Sequence, residues 1–161
     1  MIATVHALVG GAIAVGTNNP IVSPLLALTS HFILDSVPHW DFGTSVDKRS
    51  KQITGIIAIA DTVVGMTISY ILFQGQVNQL TLISCLIATQ LPDWIEAPWY
   101  IFYADLKTKA LAKNAGMIEK TLYHIYKIQN TFHTKTTFGI GVMTQIIAVI
   151  FFFILMRIIK I

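Results

Sequence analysis

The chain has little charge and almost no cysteine, and each scarcity excludes a class of protein. Charged residues make up 12% of the 161 residues and hydrophobic residues 54%, whereas a soluble domain carries about 25% charged residues. A soluble protein of this composition would expose large apolar patches, so the composition predicts an integral membrane protein. The single cysteine, Cys85, lies in an apolar run and excludes an intrachain disulfide framework and a cysteine-based zinc site. The sequence shows no basic motif interleaved with aromatic residues, and we expect no nucleic-acid partner.

Five apolar segments predict the fold, and they occupy residues 2–15, 21–37, 53–73, 80–102 and 137–156. A helix needs about 20 apolar residues to cross the ~30 Å hydrocarbon core of a bilayer. The last three segments are long enough, although Pro92, Asp93 and Glu96 interrupt the apolar run of the fourth. The first two are shorter and either cross a thinned bilayer or form a re-entrant hairpin. We therefore expect an all-α, polytopic membrane bundle with four or five transmembrane helices in a single domain, 1–161.

The distribution of basic residues predicts the orientation of this bundle. Loops 38–52 and 104–136 carry nine of the 11 lysines and arginines, and Arg157 and Lys160 follow the last apolar segment. The positive-inside rule therefore places both loops and the N-terminus in the cytoplasm of a multi-pass cell-membrane protein. Within 104–136, apolar and basic residues fall on opposite faces of a predicted helix, which is typical of a segment that lies on anionic membrane lipids. Because Lys48 is the first basic residue, we expect no cleavable signal peptide.

Histidines and carboxylates lie near the cytoplasmic ends of the predicted spans, and no ionisable residue falls in the opposite half of a span before Arg157. We therefore expect them to meet in one buried polar site. His31 and Asp35 are four residues apart, and Asp93 and Glu96 are three apart, so each pair lies on one helical face. Histidine and carboxylate ligands without thiolates suit zinc, manganese or iron, so the pattern predicts a divalent metal, zinc first, with enough candidate ligands for two ions.

Each of these residues also has a structural alternative. His6 can hydrogen-bond a carbonyl at a helix interface, and His31 with Asp35 can form a salt-bridged pair. Asp61 can serve as a proton relay or transport residue, and Asp93 can satisfy backbone donors freed by the preceding proline. The remaining candidates can belong to a solvated or interfacial loop: His39, Asp41 and His133.

Three motifs in the chain resemble those of a known family. Val5-His6-Ala-Leu-Val-Gly10-Gly11 precedes Ser30-His31-Phe-Ile-Leu-Asp35-Ser-Val-Pro38-His39-Trp-Asp41, and Leu91-Pro92-Asp93-Trp94 follows later. Over residues 1–41 and 89–97 the chain resembles the small bacterial membrane proteins described as predicted membrane-bound metal-dependent hydrolases. The resemblance implies a metal site formed by His6, His31, Asp35, His39, Asp41 and Asp93. That family often carries a paired-histidine segment later in the chain, to which only His133 corresponds here.

The residue pattern and the resemblance together favour a metal-dependent hydrolase at the cytoplasmic leaflet. The predicted metal ligands are His6, His31, Asp35, His39, Asp41 and His133. Asp61 and Asp93 are the predicted catalytic residues, as a general base or as ligands of a second metal ion. The depth of the site favours a small-molecule or lipid substrate, such as the phosphoester of a lipid or another amphiphile. The alternatives are a transporter of metal ions or protons and a non-catalytic protein with a structural metal.

Overall fold

The computed structural model describes residues 1–42, 49–105 and 110–159, and its helical content confirms the all-α class. Four of the basic residues that predict the orientation lie outside the described residues: Lys48, Lys107, Lys109 and Lys160. The α-helices are α1 (Ala3–Thr17), α2 (Val22–Ser36), α3 (Lys51–Phe73), α4 (Gln79–Pro98), α5 (Met117–Phe132) and α6 (Phe138–Ile159), and a π-helical turn, Trp99–Tyr103, follows α4.

Helix α1 is the centre of the bundle and packs against α2, α3, α4 and α6. Its sequence is apolar on every face, which is typical of a buried helix, and Val9 and Ala14 are fully buried. Glycines allow the close approach of its neighbours: a methyl group on Gly65 of α3 would lie 2.9 Å from the backbone nitrogen of Thr4. With 15 residues α1 is about 22 Å long. The short first segment of the sequence is therefore an inner helix, and three of the four helices around it are longer than it is.

Two helices, α3 and α6, are long and apolar enough to cross a membrane. They contain 23 and 22 residues, and only 17% and 11% of their most apolar stretches are buried within the bundle. Large apolar side chains such as Ile56 and Ile71 of α3 and Phe151 of α6 consequently face outward. By length and composition, the described part of the chain thus has two candidate spans. The four or five crossings expected from the sequence stay a prediction.

The connection between α1 and α2 follows local signals in the sequence. Asn18 ends α1 in a left-handed conformation with φ of 45°, and its N–H donates to the carbonyl of Ala14. Helix α2 ends at Ser36, because Val37 precedes a proline and adopts an extended conformation. The last two turns of α2 therefore carry the buried side chains of His31 and Asp35 on one face.

The polar residues in the fourth apolar segment do not break helix α4, which continues through Pro92 to Pro98. Buried Gln129 of α5 donates a hydrogen bond of 2.8 Å to the carbonyl of Pro92. Beyond this point, Trp99 of the π-helical turn is fully buried and stacks on Tyr126 of α5. Helix α5 is thus fixed against α4, which keeps Asp93 in helical geometry beside the end of α2.

Candidate metal centre

The predicted metal ligands and one predicted catalytic residue come together where α1, α2 and α4 meet the segments that follow α2 and α5. Helix α1 contributes His6, α2 contributes two residues and α4 contributes one, and the two extended segments supply the others. The residues brought together are His6, His31, Asp35, His39, Asp41, Asp93 and His133. His6, His31 and His39 are at most 1% exposed. Imidazoles from distant parts of the sequence therefore share one water-poor site.

Asp35 lies at the centre of this cluster. Its Oδ1 is 3.2 Å from Nε2 of His6, and its Oδ2 is 3.2 Å from Nε2 of His31. The same Oδ2 is 3.5 Å from Nε2 of His133, and the α-ammonium group of Met1 contacts Oδ1. Three imidazoles from three elements therefore converge on one carboxylate.

A second carboxylate, Asp41, joins the imidazoles on the other side of the cluster. Its Oδ2 is 3.5 Å from Nε2 of His39 and 3.7 Å from Nε2 of His133. Its Oδ1 is 3.3 Å from the ammonium group of Lys135. Burial alone would raise the pKa of Asp41, but His39 and the positive charge of Lys135 more than offset it, and the pKa is lowered below its usual value. Asp41 is therefore an ionised carboxylate at neutral pH.

Backbone pairing holds the two extended segments together. The N–H of His39 donates to the carbonyl of Thr134 at 2.9 Å, and the N–H of Thr136 donates back to the carbonyl of His39 at 2.9 Å. The N–H of Thr134 also donates to the carbonyl of Asp35 at 3.0 Å. These bonds place His133 beside His39, with ring centroids 5.1 Å apart. Burial lowers the pKa of His133 to about 4, so its imidazole is neutral at pH 7, which is the form that binds metal.

Second hydrogen bonds orient two of the imidazoles. Nδ1 of His31 lies 2.7 Å from the carbonyl oxygen of Thr89, and Nδ1 of His39 lies 2.8 Å from that of Val37. Because a carbonyl only accepts, both Nδ1 atoms carry the proton, and in the neutral ring Nε2 presents a lone pair to the cluster. The same arrangement is common in metal-binding histidines.

Several of the Nε2 atoms lack a hydrogen-bond partner although they are buried. Within the described part of the chain this holds for Nε2 of His6, His31 and His39. An unsatisfied buried polar atom is costly, at about 1–3 kcal/mol. A metal ion bound by these nitrogens and the neighbouring carboxylates would satisfy them, so the donor set fits a divalent cation.

Among the residues that the structure describes, two sets of ligand atoms are close enough to hold a metal ion. Within each set the atoms lie within 4.8 Å of one another. One set comprises His6, His31 and Asp93, and the other comprises Asp35, His39 and His133. Because Asp35 also contacts His6 and His31, its carboxylate lies between the two sets. The two sets are therefore neighbouring candidate cation sites, and Asp35 contacts residues of both.

Asp61 belongs to neither set. Its carboxylate accepts hydrogen bonds from the N–H of Ala3 at 2.7 Å, from the N–H of Thr4 at 3.2 Å and from the hydroxyl of Thr4 at 2.6 Å. These backbone donors belong to the first turn of α1, where no intrahelical acceptor exists. Asp61 thus caps α1 from the neighbouring helix, and its predicted catalytic role stays a prediction.

Two contacts of the centre were not found by sequence reasoning. Lys135 pairs with Asp41, and the backbone carbonyl of Thr89 orients His31. The lysine sits in a polar segment that gives no local sign of an ion pair with a residue 94 positions away. A backbone carbonyl leaves no signature in the side-chain pattern at all. Both contacts arise from tertiary packing alone.

Comparison with known proteins finds no matching family model, no matching curated protein and no matching solved structure. The likeness to membrane-bound hydrolases therefore rests on the three motifs named above. Any function assigned to the centre has to follow from the chemistry of its own residues.

Proposed function

We propose that this chain is a multi-pass membrane protein of four or five spans with its N-terminus in the cytoplasm. The outward-facing apolar surfaces of α3 and α6 support this, because exposure of so large an apolar surface to water is energetically unfavourable. The excess of basic residues in loops 38–52 and 104–136 supports the orientation. In this arrangement the cluster around Asp35 lies close to the cytoplasmic leaflet.

Within that bundle we propose that the chain is a metal-dependent hydrolase. The single observation that carries the proposal is the set of buried, unsatisfied Nε2 atoms that face carboxylates in the cluster. The proposed ligands are His6, His31 and Asp93 for one divalent cation and Asp35, His39 and His133 for another, with Asp41 beside the second set. Zinc suits this nitrogen and oxygen donor set best, and manganese or iron are the alternatives.

A bound divalent cation brings the pKa of its water to about 7 and polarises a phosphoryl or acyl oxygen. The protein must then accept a proton. Asp93 suits that role through the carboxylate oxygen that would not bind the metal, since its side chain is 35% exposed and lies 3.6 Å from Nε2 of His31. Asp61 suits it less, because its carboxylate oxygens already accept hydrogen bonds from α1. The buried rings of His31 and His39 are each held by a hydrogen bond to a backbone carbonyl, and such fixed positions favour hydrolysis.

Hydrolysis of a phosphoester by this site would add the elements of water across one bond. The water oxygen forms a new bond to phosphorus, and the bond between phosphorus and the ester oxygen breaks. The departing alcohol takes up one of the two protons of the water, and the other proton is released to solvent through the carboxylate of Asp93. No oxidant, reductant or further substrate is needed.

The test is hydrolysis of a soluble phosphodiester, bis(p-nitrophenyl) phosphate, by purified protein. Activity should disappear on treatment with a chelator and return on addition of zinc or manganese. Asp93→Asn should lose most of the activity, whereas Glu119→Gln on α5, outside the ligand sets, should keep it. A chain that binds metal without hydrolysing this or an acyl ester is not a hydrolase. Metal or proton flux into proteoliposomes, abolished by Asp61→Asn, would favour a transporter instead.

A further inference from the structure

A cavity of about 490 Å³ adjoins the metal centre. Its apolar walls come from α3, α4 and the π-helical turn, and they include Ile59, Val63, Trp94, Ala97 and Ile101. Its polar lining includes three residues of the metal centre: Asp41, Asp93 and His133. The volume falls within the range of about 300–1,000 Å³ that is typical of small-molecule sites. One continuous space therefore connects an apolar wall with the proposed metals.

The lining has both signs of charge, and the balance depends on the metals. Asp41, Asp61, Asp93 and Glu96 contribute carboxyl groups, and two basic residues, Lys51 and Lys135, lie in the same lining. Asp61 is held by the first turn of α1, and Asp41 is paired with Lys135. Without bound cations this lining does not favour an anion. Two bound divalent cations would change the local charge from negative to positive, because bound metal ions are the largest charges in such a site.

We propose that this cavity binds an amphiphile with a phosphate-bearing headgroup, a proposal that rests on the metal-dependent function above. The phosphate lies at the metal centre near Lys51 and Lys135, and the apolar chain lies between α3 and α4. A free inorganic anion would make no contact with the apolar side chains of Ile59, Val63 and Trp94 that line the same space. An uncharged lipid would make no use of the cations. An ester of phosphate with a hydrocarbon tail satisfies both parts of the lining, and its several oxygens can meet two neighbouring cations.

The experiment measures binding rather than turnover. Metal-loaded protein is titrated calorimetrically with octyl phosphate, below its micelle concentration, and with inorganic phosphate, octanol and nonanoate. Octyl phosphate should bind at least tenfold more tightly than each of the others. After chelator treatment its affinity should fall at least tenfold, because the carboxylates of the lining then repel the headgroup.

A cavity-filling variant tests the apolar wall with a matched control. Ala58 and Ala60 are both exposed residues of α3, but only Ala58 lines the cavity. Ala58→Trp should weaken octyl phosphate binding about tenfold without changing the metal content or the affinity for inorganic phosphate. Ala60→Trp should leave all three unchanged. Because both sites are exposed, neither substitution should prevent folding.

The possible failures are distinguishable. The protein could bind metal and hydrolyse the soluble phosphodiester, yet bind octyl phosphate no more tightly than inorganic phosphate or octanol. That result would show that the amphiphile proposal is wrong and would leave the proposed hydrolase function unaffected. Equal affinity for nonanoate would overturn the assignment of phosphate. Equal effects of Ala58→Trp and Ala60→Trp would overturn the assignment of the tail to this cavity. If the protein binds no metal, the proposed function fails first.

Discussion

Replacement of Asp35 by asparagine should remove both metal ions, whereas replacement of a ligand in only one set should remove one. Asp35 lies 3.2 Å from His6 and from His31 in the first set, and it belongs to the second set with His39 and His133. Asparagine has nearly the same shape but no charge, so the change deletes the shared anion with little effect on packing. Asp93→Asn and His39→Ala each affect a single set.

The magnitude follows from the number of ligands affected. Loss of an outer-shell partner lowers metal affinity by about 10–100-fold, and a direct ligand should contribute at least as much. At free zinc of about 10 times the wild-type Kd, assumed equal for the two sites, mass action gives about 1.8 bound ions per wild-type chain. In Asp35→Asn, where both sites bind zinc 100-fold more weakly, about 0.2 ions per chain remain bound. In Asp93→Asn, where only one site is weakened 100-fold, about 1.0 ion per chain remains bound. Under the same conditions zinc should stabilise the wild type by about 2.8 kcal/mol and Asp93→Asn by about 1.5 kcal/mol.

The assay is elemental analysis at buffered free zinc, combined with thermal unfolding followed by circular dichroism. His124→Ala is the matched control, because His124 is an exposed histidine of α5 outside both sets. It should keep the wild-type metal content. A single bound ion in the wild type would contradict a shared Asp35. Equal metal loss in helical Asp35→Asn and Asp93→Asn, or a loss in His124→Ala as large as either, would contradict it as well.

Three further predictions concern packing, capping and topology. Gly65→Ala should lower the free energy of unfolding by about 1–3 kcal/mol, because the added methyl group meets the backbone of Thr4. In Gly55→Ala, on the same helix, the added methyl group meets nothing within 4 Å, so this control should be tolerated. Equal thermal unfolding of the two variants would contradict the close packing of α1 on α3. Asp61→Ala should lower stability by about 0.5–2 kcal/mol through loss of the cap on α1 and leave the metal content unchanged, so a loss of metal in the folded variant would assign Asp61 to the centre. Asn18→Cys, placed in the exposed turn after α1, should react from outside the cell with a reagent that cannot cross membranes, and protection there would favour a re-entrant hairpin.

Those parts of the site that depend on local geometry could be predicted from the sequence. The spacing of His31 and Asp35 fixes their common face on any helix, and Pro38 fixes where that helix ends. The concentration of polar residues at one end of the apolar segments predicted that they would meet. The structure brings seven of them within a few ångströms of one another but places Asp61 apart, on the first turn of α1. Helix type and approximate bounds followed from the same apolar pattern.

Other parts of the site depend on contacts between distant segments, which the residue pattern does not encode. His39 meets His133 because the backbone of 39 pairs with that of 134 and 136, and neither segment has a strand pattern. In the sequence Asp61 is an isolated polar residue in an apolar helix, and this position is equally consistent with a proton relay and with a helix cap. Only the position of α1 beside α3 shows that it meets the donors of Ala3 and Thr4.

The carboxylates of the centre are compensated in different ways, and the difference indicates which of them needs a metal. Asp41 has Lys135, and Asp61, which lies outside the ligand sets, has the first turn of α1. Asp35 has the α-ammonium group of Met1 on Oδ1, but its other close neighbours are imidazoles, and the ring of His31 holds its proton on the nitrogen opposite Asp35. A neutral ring therefore directs a lone pair at a carboxylate oxygen, and two acceptors in a water-poor site repel each other. Protonation of the rings would place several positive charges in one small buried volume, whereas a divalent cation satisfies nitrogen and oxygen together. The metal is accordingly expected to stabilise the helical bundle as well as to supply its chemistry, so a chelator should lower the unfolding temperature of the wild type and leave that of Asp35→Asn nearly unchanged.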